Sequence, residues 1–182
     1  MIGHVDTWGC LEVESELAQT VARCLRERSG LSVRFYGSIY YELHEPVRRT
    51  PHEAIQTLQL HDLHLLDTAD PELHLEDPER ALRDGIVVGA VVDRRLVARA
   101  SCVARSQGYG DIGVTTVPEF RGQGLATATA SEVAHQLQQS QSVPVWSTGQ
   151  TNLASQRVAA KLGFTLTTRR TYVIPRRDKS PR

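Results

Sequence analysis

The 182-residue sequence contains no apolar run near the roughly 18 to 20 residues that cross a bilayer. A transmembrane reading is thereby removed, and the N-terminus also lacks the pattern of a signal peptide. Neither sign of charge is in excess. With 21 basic residues against 21 acidic ones, the broad positive field of a nucleic-acid binder is missing. Cysteine is scarce: Cys10, Cys24 and Cys102 are odd in number and stand at no metal-ligand spacing, which points to reduced thiols in a cytoplasmic protein. His61 and His64 are three apart, but His74 lies past Pro71 and no acidic third ligand is well placed, so no metal is expected. Phosphate loops of two common kinds are also absent. There is no Gly-Lys pair for a P-loop, and Thr127 stands where a dinucleotide fingerprint needs its third glycine.

What the sequence does have is one stretch around which the rest is organised. Residues 114–127 read VTTVPEFRGQGLAT. A β-branched run over 111–117 is stopped by Pro118, which donates no backbone hydrogen bond. From Leu125 the apolar residues Ala126, Ala130, Val133, Ala134 and Leu137 recur at helical spacing. Between strand and helix, Gly122 and Gly124 leave backbone N–H groups uncovered. A helix N-terminus carries unpaired N–H groups and the positive end of the macrodipole, so this turn suits a pyrophosphate. Arg121 adds a permanent cation, and Thr127 and Thr129 add hydroxyls. The same glycines would equally serve a plain strand-to-helix turn.

The spacing Arg121-x-x-Gly124-x-Ala126 resembles the Q/R-x-x-G-x-G/A signature of the GNAT acyltransferases. A second stretch similar to that superfamily follows at Asn152-x-x-Ser155-x-x-Val158-x-x-Lys161-x-Gly163-Phe164. The close resemblance covers residues 111–164, and a match of strand pattern reaches back to residue 84. It implies an α/β, GNAT-type acyl-CoA N-acyltransferase fold, a mixed central sheet with splayed adjacent strands flanked by helices. Residues 1–182 are then a single domain, with an acetyl-CoA-binding core at 84–174 and a divergent segment at 1–80 that shapes the acceptor site.

Along the chain, Leu11, Leu17, Val21 and Leu25 give an amphipathic helix over 11–28 closed by Ser29-Gly30, and 31–43 reads as a strand ended by Pro46. That strand holds Tyr36, Tyr40 and Tyr41, which either line an acceptor pocket or pack as ordinary strand residues. Thr50-Pro51-His52-Glu53 reads as a capped helix start, carrying a helix to about Leu66. Asp70-Pro71-Glu72 and Asp77-Pro78-Glu79 are turn or helix-start signals. Residues 86–92, 96–104 and 111–117 form an antiparallel meander. A helix at 123–140, a strand at 143–148 parallel to 111–117, a helix after Asn152 ended by Gly163, a strand at 165–174 and a charged tail complete the chain.

The resemblance also implies a mechanism. The strand before the turn splays from its neighbour, and the pantetheine arm of acetyl-CoA lies in the gap against the backbones of Val114, Thr116 and Val117. Residues Arg121, Gly122, Gln123, Gly124, Leu125, Ala126 and Thr127 hold the pyrophosphate, and Asn152 and Ser155 touch the donor or its loop. The acetyl group passes directly to a primary amine of a small molecule or peptide. A backbone N–H near 114–116 stabilises the oxyanion. Many members carry a tyrosine seven residues after the asparagine as proton donor to sulfur; here that position is Ala159. Ser155 or Tyr172 are the substitutes, and Asp111 is the candidate general base beside Glu42, His44 and Glu45. A catalytically silent acyl-CoA sensor is the alternative, and a homodimer is a possible assembly. Neither nucleic acid nor membrane is expected as a partner.

Overall fold

In the computed structural model, which describes residues 11–13, 17–29, 32–103 and 105–176, the chain divides into two compact units. Met1–Tyr40, Thr148–Asn152 and Thr167–Arg182 make one; Tyr41–Ser147 and Leu153–Leu166 make the other. The segment read as residues 1–80 is shared between them, divided after Tyr40. Cys10, Gly30 and the tail beyond residue 176 lie outside the described residues.

The smaller unit begins with β1 (Leu11–Val13) and α1 (Ala18–Ser29). The helix starts later than the leucine spacing suggests, because residues 11–13 pair antiparallel with the C-terminal strand, Leu11 opposite Val173. Tertiary pairing here overrides helical periodicity. Ala18 and Ala22 then close over Val173. The strand read at 31–43 is β2 (Ser32–Glu42), whose last two residues enter the larger unit.

The main departure from the sequence reading follows. Thr50-Pro51 starts no helix: the Thr50 N–H donates to Ser131 Oγ (3.2 Å), and β3 (Ile55–Thr57) pairs antiparallel with residues 88–90. An otherwise bare sheet edge captures this segment, an outcome that a local capping signal cannot foresee. Helical structure begins only with a 3₁₀ turn at Leu60–Asp62 and α2 (Leu63–Asp67), after the Gln59 N–H has bonded to Asp62 Oδ2 (2.9 Å). The two Asp-Pro signals fold as read. Asp70 caps a 3₁₀ turn at Pro71–Leu73, and Asp77 caps α3 (Pro78–Asp84), each accepting a backbone N–H. His61, His64 and His74 are exposed.

The meander is present: β4 (Ile86–Val92) and β5 (Arg95–Cys102) pair antiparallel. The run expected as one strand over 111–117 is broken. β6 (Arg105–Ser106) and β7 (Tyr109–Asp111) form a small hairpin, and β8 (Gly113–Thr116) continues separately, antiparallel to β5. A 3₁₀ turn at Pro118–Phe120 leads to α4 (Leu125–Gln139), followed by β9 (Val143–Gly149), α5 (Leu153–Leu162) and β10 (Thr165–Arg176). β9 pairs parallel with β7, Tyr109 opposite Val143 and Asp111 opposite Val145. The expected parallel neighbour of β9 is thus only the first part of the expected strand. Gly163, at φ 97°, ends α5, and Phe164 N–H reaches back to Ala159 O (3.1 Å).

Within the larger unit the sheet β3-β4-β5-β8 has two covered faces. Ile86, Val88, Ala100 and Cys102 point one way and cluster with Ala130, Val133, Ala134 and Leu137 of α4. On the other face Val87 and Val97 meet Leu65, Leu66, Leu73 and Leu82 of the connecting segment. Among the described residues no helix is long and apolar enough to cross a membrane.

The two-residue turn joining β4 to β5 has Asp93 at φ 49° and Arg94 at φ 61°, the double left-handed geometry that favours Asp-Gly. Arg94→Gly is therefore expected to stabilise the fold by about 1 kcal/mol, by removing the left-handed penalty of a side-chain-bearing residue. Chemical denaturation reads this as a raised midpoint at unchanged slope; an unchanged or lowered midpoint contradicts the turn assignment.

Candidate functional site

The site grows from the break at Ile112. Ile112 is buried, and its N–H donates to Val145 O (3.0 Å), continuing the β7–β9 ladder. One residue later the chain bonds β5 instead, with Gly113 opposite Ser101, Val114 opposite Ala100 and Thr116 opposite Ala98. β8 and β9 accordingly belong to different sheets, and β8 is an edge strand. The expected splay between adjacent strands is this change of partner.

Alternation along the edge decides which groups it offers. The Val117 N–H donates to Val97 O (3.0 Å), so residues 113, 115 and 117 turn their backbone groups toward β5. Those of Val114 and Thr116 turn away from it, to the open side. Two of the three backbones read from the sequence as pantetheine contacts thus face outward. Val117 differs: its N–H goes to Val97, and its carbonyl accepts from Phe120 N–H (3.1 Å). Thr116 O already accepts from Arg121 Nε (3.0 Å). Thr116 Oγ1, by contrast, is the one buried side-chain polar atom among the described residues that has no hydrogen-bond partner.

The turn itself is built from glycine. Gly122 (φ 81°) and Gly124 (φ 85°) are left-handed, and a Cβ on either would meet nothing within 4 Å. Backbone conformation, not crowding, requires glycine there. Gly124 occupies the N-cap of α4 without a side chain to bond the first turn, which also lacks acidic residues. The first intrahelical bond runs from Ala128 N–H to Gly124 O (3.0 Å), so the amides of Leu125, Ala126 and Thr127 precede the ladder. Residues 121–124, including Gln123, are exposed. A 15-residue helix with an uncapped, uncharged start presents a positive field to the solvent.

Side chains around the turn divide unevenly. Arg121 is exposed, and its Nη2 pairs with Glu72 Oε2 (2.7 Å) in the 71–73 turn. The cation expected at the rim thereby ties the connecting segment to the loop as well. Thr129 is wholly buried, and its hydroxyl donates to Leu125 O (2.9 Å). It offers nothing to an anion. Thr127 is also buried.

The candidate catalytic residues fall in separate places. Asp111 ends β7, one residue before the exchange at Ile112, and its Oδ2 accepts from Ser147 Oγ (2.8 Å). Ser155 Oγ accepts from the indole N–H of the buried Trp146 (2.9 Å), in the larger unit. Ala159, one turn on, is fully buried in the cluster that holds Trp146, Leu162 and Phe164. That face of α5 is packed into the core. Asn152 and Tyr172 belong to the smaller unit. Asn152 N–H donates to Gly149 O (3.0 Å), while the hydroxyls of Tyr172 and Tyr40 share a hydrogen bond at 2.6 Å and the Tyr172 ring lies 6.5 Å from that of Tyr36. Glu42 is bonded to His44 (2.8 Å).

Sequence reasoning passed over Arg99. It lies in the middle of β5 and is 7% exposed, and desolvation holds its guanidinium below its ordinary pKa. An arginine inside the apolar run Leu96 to Cys102 was the available signal.

The fold recurs in known proteins. The chain resembles the structure of a protein from Novosphingobium aromaticivorans assigned to the GNAT family, with 26% identity, a TM-score of 0.65 and coverage of 80% of this chain and 66% of that one. It also resembles a GCN5-related N-acetyltransferase-like protein from Streptococcus suis (21% identity, TM-score 0.64, 87% and 68% covered). An acetyltransferase of the GNAT family from Colwellia psychrerythraea shares the fold as well (18% identity, TM-score 0.65, 91% and 75% covered). The chain spans 66% of the length of the first of these. No curated protein matches the sequence. The sequence model for GNAT acetyltransferases matches residues 39–173, and the chain belongs to that family.

Proposed function

We propose that the chain transfers an acetyl group from acetyl-CoA to a primary amine by direct attack. One observation carries this reading: the outward backbone groups of Val114 and Thr116 and the uncapped start of α4 follow one another in a single stretch of chain. An extended amide-bearing arm can add to a bare strand edge as another strand does, and a pyrophosphate suits the amides of residues 124–127. The orphaned Thr116 hydroxyl, with Gly122 and Gly124 leaving open space, fits a ligand at this edge.

Acetyl-CoA supplies a thioester whose carbonyl carbon the amine nitrogen attacks and whose carbon–sulfur bond then breaks. The chain's part is to hold, polarise and move protons. An outward N–H at Val114 or Thr116 stabilises the oxygen as it gains charge. Asp111 takes the proton that the amine loses. Ser155 is the group of the larger unit whose hydroxyl could return a proton to sulfur, although a thiolate with an intrinsic pKa of roughly 8.5 leaves acceptably unaided. The connecting segment before residue 84, which packs its 71–73 turn against β5 and β8, shapes the place of the acceptor.

Gly124→Glu is expected to weaken acetyl-CoA binding at least tenfold, because it adds negative charge and a strained side chain to the anion turn while the core is untouched. Calorimetric titration of the folded variant checks it; unchanged affinity removes the turn from the site. Titration of the native chain, followed in the same samples by thiol release against a panel of amines, tests the activity itself. Binding with release is expected. Binding without release from any amine assigns the chain to acyl-CoA sensing, the reading that the buried Ala159 favours, and no binding overturns both.

A further inference from the structure

Among the described residues Arg99 is a cation without a counter-ion. Its Nε donates to Leu73 O (3.0 Å), one Nη to Ser101 Oγ (2.5 Å) and the other to His74 O (3.4 Å). All three partners are neutral, and among the described residues no carboxylate pairs with it. Among the described residues each terminal nitrogen keeps a second N–H with no acceptor. A guanidinium buried this deeply is costly unless an anion meets it.

The register shows where such an anion could enter. Arg99 stands opposite Thr115 and Ser101 opposite Gly113, so these four positions project to one face of the sheet, away from α4. Ser101 is 5% exposed, but Gly113 beside it is exposed, and a Cβ there would meet nothing within 4 Å. The face is therefore open beside Ser101, the hydroxyl to which Arg99 is bonded. Gly113 has no left-handed φ that would call for glycine, so neither backbone conformation nor crowding explains the missing side chain. The outward backbone groups of Val114 and Thr116 flank Thr115 on the same strand. An amine reacting at this edge can extend its own substituents over Gly113 and Thr115.

We propose that the opening at Gly113 receives an anionic group of the acceptor, a carboxylate or a phosphate, recognised by Arg99 through its free N–H groups together with the Ser101 hydroxyl. The acceptor is then a primary amine that also carries an acid group. This rests on the acetyl-transfer reading for its chemistry but not for its test.

Arg99→Gln would also remove the anchor of residues 73 and 74, so Gly113→Leu carries the test: it fills the opening and leaves the bonds of Arg99 in place. The probes are succinate and inorganic phosphate, titrated into the native chain while the Gly113 amide and the Arg99 Nε–H are followed by nuclear magnetic resonance. Saturable shifts at both groups, weakened at least tenfold in Gly113→Leu as read at Arg99, are expected. A response to succinate alone names a carboxylate and a response to phosphate alone names a phosphate. No shift at Gly113 or Arg99 with either probe overturns the proposal, whatever an amine screen shows. Shifts in a chain that consumes no amine would keep the anion site and remove the transferase reading. Where thiol release is seen, amino acids should exceed their amides, or phosphoethanolamine should exceed ethanolamine, by at least tenfold in kcat/KM, and Gly113→Leu should erase the ratio. Equal rates for the acid and its neutral match overturn the proposal.

Discussion

A strand cannot bond two neighbours on the same side, and the stretch from Tyr109 to Thr116 meets this limit by changing sheets. Up to Ile112 its backbone belongs to β9, and from Gly113 it belongs to β5. Buried Ile112 is fixed in the core at the point of exchange. Beyond it, β8 keeps one edge for β5 and exposes the other, with Val114 and Thr116 supplying the outward groups. An unpaired edge is normally a hazard for a sheet, and here it is short and followed at once by a proline and a glycine turn. The remainder of the larger unit holds β8 in this position: α4 lies on one face of its sheet and the 58–84 segment on the other.

The glycine turn depends on the same arrangement. Arg121 bonds the last outward carbonyl, that of Thr116, and at the same time Glu72. The connector, the edge strand and the glycine turn are joined through one side chain. The positive character of the turn consequently rests on backbone amides more than on a free cation. Backbone donors do not change with side-chain substitution, and such a turn keeps its chemistry while the sequence around it varies. Arg99 fastens the same connector from the other side, through Leu73 and His74.

Much of this was legible in the sequence because it is local. The glycine turn, the helix after it, the meander and the two Asp-Pro caps each leave a mark in a few consecutive residues. What could not be read was decided by distant partners. Thr50-Pro51 has the form of a helix start, yet residues 55–57 are drawn to the edge of β4. Residues 11–13 join the C-terminal strand in place of α1. The 111–117 run carries one interruption, Gly113 directly after Ile112, but the exchange of partner there is decided by two competing neighbours, β9 and β5. The same holds for the site. Outward and inward backbone alternate, which separates Val114 and Thr116 from Val117, and only the register fixes the phase. Thr129 looked available to an anion, but helix geometry turns its hydroxyl back to Leu125. The lone charge of Arg99 among apolar residues was visible, whereas its missing counter-ion is a fact of packing.

The central claim is that the open edge of β8 and the start of α4 bind one ligand together. Hydrogen exchange of individual backbone amides, measured with and without saturating acetyl-CoA, tests it most directly. Slowed exchange at Val114 or Thr116 and at the amides of residues 124–127, with Val117 unchanged because Val97 already holds it, is the expected result. Binding of acetyl-CoA that leaves all of these amides exchanging as before would contradict the claim.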